Sequence, residues 1–153
     1  MTFDSIFEPN VHQALTRRLA ALRPDSKARW GRMSAHQAVC HLADALRLVL
    51  GERPTSFRAN LFLKIVGRFA ALSLPVPWPK GVETAPDVDQ ERGGTAPTTF
   101  EADMDTLNEL VARFVGLSGR NMATHPIFGD LTHGEWGRWG YRHLDHHLTQ
   151  FGV

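Results

Sequence analysis

Val11, Leu15, Leu19 and Leu22 recur at i, i+4, i+8 and i+11, the apolar stripe of an amphipathic helix from about Asn10 to Arg23, with Pro24 where it must stop. Ser34 followed three residues later by Gln37 is a capping box. Val39, Leu42, Leu46 and Leu50 then repeat, with Ala38 and Ala45 beside them, until Gly51 ends the run. This second helix carries His36, Cys40, His41 and Asp44. Phe57, Leu61, Ile65, Phe69 and Leu72 keep the same period between Pro54 and Pro75, predicting a third helix with Arg58, Lys64 and Arg68 on its polar face.

From Pro75 to Pro97 the pattern lapses. Five prolines, Gly81, the Gly93-Gly94 pair and few aliphatic residues make a long connection, read as a lid or a strap across the body, with Trp78 docking on it. Thr98 with Glu101 opens a fourth helix, whose stripe is Phe100, Met104, Leu107, Val111 and Phe114, closing at Gly116. Thr132 with Glu135 opens the last, through Trp136, Trp139, Tyr141, Leu144 and Leu148 to Phe151. With no β alternation and no internal repeat, the expected fold is an all-α helical bundle.

At 153 residues the chain is expected to form one domain, 1–153. Seventeen basic and 16 acidic side chains are interspersed, which gives none of the basic excess that nucleic acid binding needs. The N-terminus carries Asp4 and Glu8 and no signal-like run, and the most apolar stretch, Leu61 to Pro77, is cut by Lys64 and Arg68 well short of the roughly 20 residues of a membrane span. A lone cysteine, Cys40, excludes an internal disulfide and fits a reducing, cytoplasmic setting.

Eight histidines are the compositional oddity. The last helix reads Tyr141-Arg142-His143-Leu144-Asp145-His146-His147. His143 and His147 are offset by only about 40° around the axis and about 6 Å along it, so both imidazoles reach one ion. Such a spacing also arises by chance, and His146 is able to replace either partner. Two histidines are an incomplete chelate, and the best third ligand is His41, among the apolar positions of helix two with Gln37 and Asp44 on its face. Asp44 is either the acceptor that orients the His41 ring or a solvated carboxylate. His36 and Cys40 diverge from His41 around the helix by about 140° and 100°. Cys40 is therefore a buried structural residue, and His12, His125 and His133 read as solvated or loop residues. Trp136, Trp139 and Tyr141 are aromatic at helical spacing, expected as core for at least two of the three.

Trp30-Gly31-Arg32-Met33-Ser34, leading into His36-Gln37-Ala38-Val39-Cys40-His41-Leu42, together with the His143 to Gly152 run, resembles the DinB/YfiT-like metalloenzyme superfamily. The match is nearest to a bacterial branch known as a domain of unknown function, to which His125-Pro126-Ile127-Phe128-Gly129 and Glu135-Trp136 are also similar. The resemblance implies a four-helix bundle with a long crossover connection, one of the five helices being an appendage. It also implies one divalent ion, zinc or nickel, on His41, His143 and His147. Members that resemble this chain activate a low-molecular-weight thiol for transfer or isomerisation, and dimers are common among them.

Three neutral imidazoles leave a coordination position open and do not neutralise the ion, so a bound water or thiol becomes a nucleophile at neutral pH. That expectation is a metal-dependent transferase for a small thiol. The ligand set does not separate it from a hydrolase, and the contrasting class is a non-catalytic bundle, with or without metal, that acts through a partner.

Overall fold

A computed structural model describes residues 3–153, all helical apart from loops and one isolated bridge between His125 and Gly129. The helices are α1 (Pro9–Ala21), α2 (Ala35–Val49), α3 (Arg68–Ser73), α4 (Phe100–Leu117) and α5 (His133–Gln150). A π-helical turn, Leu63–Gly67, leads into α3. Among the described residues, no helix is long and apolar enough to cross a membrane.

Both outer capping boxes form as the sequence predicts. The Ser34 hydroxyl accepts from Gln37 N while the Gln37 side chain accepts from Ser34 N, and Thr132 and Glu135 repeat the pair at the start of α5. The start of α4 is displaced by one residue. Thr99, not Thr98, caps it through Ala102 N, because Thr98 gives both its N–H and its hydroxyl to Asp103 rather than pairing with Glu101. α2 packs mainly on α4, and α1 on α5. Leu15, Leu19, Leu42, Leu46, Leu107, Phe114, Leu144 and Leu148 are buried between them.

Residues ahead of α1 press directly on α5. Ile6 is fully buried and donates its N–H to the Gly137 carbonyl at 3.0 Å, while Phe114 of α4 lies against Gly140. A Cβ on Gly137 would collide with Ser5 Oγ, and one on Gly140 would stand 2.7 Å from the Phe114 ring and 2.8 Å from Ile6. Glycine is required here for close approach and not for a turn.

The third helix differs from the sequence expectation. Residues 57–60 are not helical, and the helical turns begin at 61, where Asn60 Oδ1 accepts from Leu63 N at 2.8 Å. Of the apolar stripe only Leu72 is buried; Leu61 and Phe62 are each 72% exposed, Ile65 61% and Phe69 59%. Arg68, read as part of a solvated face, turns inward and donates to both carboxylate oxygens of Glu135 at 2.7 and 2.6 Å. That two-pronged pair, with Arg138 bonded to the Leu72 carbonyl, fixes which way the helix faces.

The long connection is a strap. Its only regular piece is the 3-10 turn Pro86–Val88. Fully buried Asp44 on α2 accepts from Thr95 N and Oγ1, both at 2.7 Å, and from Gln90 Nε2 at 3.1 Å. Arg53 adds bonds to the carbonyls of Asp87 and Gly93, and Asp87 itself accepts from Thr55 Oγ1 and Ser56 N. The strap is thereby held over α2, and Trp78, as expected, docks on the body through its Nε1–H to the Ala71 carbonyl.

Candidate metal centre

His41 sits in the middle of α2, and His143 and His147 lie on successive turns of α5. The three rings meet where these helices cross, with centroids 4.8 to 5.3 Å apart. One nitrogen from each ring falls within 4.8 Å of the others. His41 is buried, and His143 is half-buried beside it.

Hydrogen bonds at the far sides of two rings settle which nitrogens face inward. His41 Nδ1 lies 2.8 Å from the Val88 carbonyl, which only accepts, so Nδ1 carries the proton and Nε2 presents a lone pair. His147 Nδ1 lies 2.9 Å from Gln150 Oε1. The amide orientation is set in turn by Gln150 Nε2 donating to the Trp30 carbonyl at 2.8 Å, so His147 Nδ1 is the donor and its Nε2 is also free. Buried Gln150 thus links His147 to the segment ahead of α2.

Burial, and for His143 and His147 also their mutual proximity with His41, pushes all three pKa values down, the α5 pair well below the ordinary histidine range. The neutral form that donates a lone pair therefore prevails at neutral pH. His41 Nε2 and His143 Nε2 are 3.1 Å apart. Two nitrogens sharing a tetrahedral ion at bond lengths of about 2.0–2.1 Å are about 3.3 Å apart, so the donor set fits a divalent cation. Among these donors there is no carboxylate or thiolate.

Neighbouring groups divide into wall and core. Trp78 lies 5.9 Å from the His143 ring and 6.2 Å from His146, and Trp139 lies 5.3 Å from His143. Trp136 and Trp139 are buried core, as the helical spacing suggests, while Tyr141 lines a cavity. His146 stays outside the three-histidine group and packs against Trp30 and Trp78. Asp145 pairs with Arg18 at 2.6 Å on the surface.

The position of Asp44 answers the question its spacing raised. It does not touch His41 and is not solvated: it anchors the strap, and the strap delivers the Val88 carbonyl that orients the ring. Cys40 and His36 point away from the centre to Asp103 on α4, at 3.6 and 2.7 Å. Burial and Asp103 push the Cys40 thiol up to about 12, so it is no thiolate at neutral pH.

Three residues of the site region escape sequence reasoning. Val88 acts through its backbone, which leaves no side-chain signature. Gln150 stands at i+3 from His147, a spacing that does signal contact. His125, expected as a loop residue, is in a turn but buried; its Nδ1 accepts from Ile127 N and Phe128 N, and burial lowers its pKa to about 3. His133 is exposed, as expected, and lies 2.8 Å from the Ser118 carbonyl.

Searches of curated proteins and of solved structures return no match. One family profile does match, over residues 9–152, and its description reads Protein of unknown function (DUF1569).

Proposed function

The chain belongs to the DUF1569 family, a membership that names no reaction, and from the site itself we propose a metal-dependent enzyme in which His41, His143 and His147 hold one divalent ion, zinc or nickel. Its fold and ligand set resemble the DinB/YfiT-like bundles, and the reaction proposed is transfer of a low-molecular-weight thiol to an electrophile. The observation that carries this reading is the inward convergence of three imidazoles, two of them with the tautomer fixed by Val88 and Gln150.

When bound, an ion held only by neutral imidazoles supplies undiminished Lewis acidity, which lowers the pKa of a thiol or water beside it. The chain's own residues do the rest. Val88 and Gln150 hold the lone pairs in place, and Trp78 with Trp139 shields one side of His143 from water.

The test is elemental analysis of untagged protein, wild type beside His41→Ala, His143→Ala and His147→Ala. The reading expects about one zinc or nickel per chain, lost in each variant while the helical circular dichroism signal persists. A wild type that neither contains nor takes up either metal overturns it.

One observation favours a partner as well. Leu61, Phe62, Ile65 and Phe69 leave an apolar face uncovered, which supports a homodimer closed over it. Sedimentation of Phe62→Glu beside wild type tests this, with a dimer that becomes monomeric as the expected result and a monomeric wild type as the refutation.

A further inference from the structure

A cavity of about 660 Å3 opens beside the histidine centre, between α5 and the segment 75–80, with Arg29 and Trp30 across from them. None of the three histidines lines it, but two of its wall residues pack against them. The His146 ring is 5.2 Å from that of His147, and the Trp78 ring is 5.9 Å from that of His143.

The charge of this cavity is one-sided. Of its two acids, Asp145 is paired with Arg18 at 2.6 Å, which leaves Asp4 as the one carboxylate set against four cations. Its four cations, Arg29, Lys80, Arg138 and Arg142, meet no carboxylate among the described residues. Arg138 donates to the Leu72 carbonyl and Arg142 to those of Leu74 and Val76, which fixes the guanidinium groups without neutralising them. Lys80 lies 4.3 Å over the Trp30 ring. Positive charge fixed around a concave, partly apolar wall is an anion receptor, and the indoles of Trp30 and Trp78, each with a cation over one face (Lys80 at 4.3 Å, Arg142 at 5.7 Å), supply its apolar part.

The geometry points to an organic anion as the substrate class: a carboxylate, sulfonate or phosphate on an apolar or aromatic body, held by these four cations with its reactive end toward the histidines. The inference rests on the cavity being the approach to the metal centre proposed above.

The probe is phenylacetate, compared with its neutral amide phenylacetamide and with phenethylammonium. Each is titrated by heteronuclear NMR into chelator-treated and into zinc-treated protein, and the indole N–H signals of Trp30 and Trp78 are followed. Phenylacetate binds at least about tenfold more tightly than the amide, with both indoles shifting, and added salt narrows the difference. Lys80 is exposed and its contact is with the Trp30 ring at the cavity wall, so Lys80→Glu tests the charge while leaving the helical core untouched; the variant loses most of the preference. Equal affinity for acid and amide, tighter binding of the ammonium, or no indole shift with phenylacetate overturns the inference. The two treatments separate the readings. Anion preference in a protein that takes up neither zinc nor nickel sinks the metalloenzyme and keeps the anion site, and metal uptake without anion preference does the reverse.

Discussion

Replacing Asp44 with alanine removes an acceptor that has no access to solvent. Thr95 N–H and hydroxyl, Gln90 Nε2, Arg47 and Arg53 converge on it at 2.7, 2.7, 3.1, 3.1 and 3.4 Å. Removing one partner of a buried ion pair costs about 3–5 kcal/mol. Here the two arginine side chains keep 29% and 23% of their exposure and recover water, so the lower figure, about 3 kcal/mol, applies. A domain has about 5–15 kcal/mol in total, and the midpoint should fall by about 6–12 °C. The strap also releases the Val88 carbonyl, and loss of an orienting partner weakens metal binding by about 10–100-fold. Thermal denaturation of the metal-free protein reads the first effect, a zinc competition titration the second, and hydrogen exchange at residues 88–95 localises both. A midpoint shift under about 2 °C refutes the energetic argument. A full shift with unchanged zinc affinity refutes the claim that the strap orients His41.

Gln150→Met keeps side-chain length but leaves His147 Nδ1–H and the Trp30 carbonyl unpaired, so zinc affinity falls about 10–100-fold, measured against a chromophoric chelator. Gly140→Ala gains about 1 kcal/mol of helix propensity yet destabilises by about 1–3 kcal/mol because Phe114 and Ile6 stand under 3 Å from the new methyl; Gly134→Ala, whose methyl meets only Arg138 at 3.7 Å, stabilises, and urea titration separates the two. Metal-free protein loses stability on acidification below about pH 6.5: His125, with its folded pKa of about 3, stays neutral while the unfolded chain takes up a proton. His41, His143 and His147 act in the same direction, each contributing up to about 1.4 kcal/mol per pH unit, and urea midpoints that stay flat from pH 7 to 5 refute it.

Where local chemistry decides, the sequence is legible. The boxes at Ser34 and Thr132 hold because cap and partner lie within one turn, and the i, i+4 histidines converge because helical geometry leaves them no alternative. Orientation toward the rest of the chain is less readable. The period from Leu61 to Leu72 identifies an amphipathic segment, but which side is covered depends on the Arg68–Glu135 pair, formed across 67 residues of sequence. Thr98 is a plausible cap by spacing, yet Asp103 competes for it over a range the capping motif does not cover. The orientation of His41 is furthest from view, since a carbonyl at 88 has the same chemistry as any other and only the fold brings it there.

The glycines of α5 also bear on the order in which the site is assembled. Gly134, Gly137 and Gly140 fall in the first half of the helix that carries His143 and His147, and together they weaken it by about 3 kcal/mol relative to alanine. An 18-residue helix so handicapped is not stable alone in water. It is held by tertiary packing, with Ser5 and Phe7 against Gly137 and Ile6 and Phe114 against Gly140, so the pair of chelating imidazoles depends on the packed fold. A divalent ion then finds no preformed chelate in the unfolded chain. Nearly all of its affinity falls on the native state, where it acts as a latch on a completed fold and not as a seed for it.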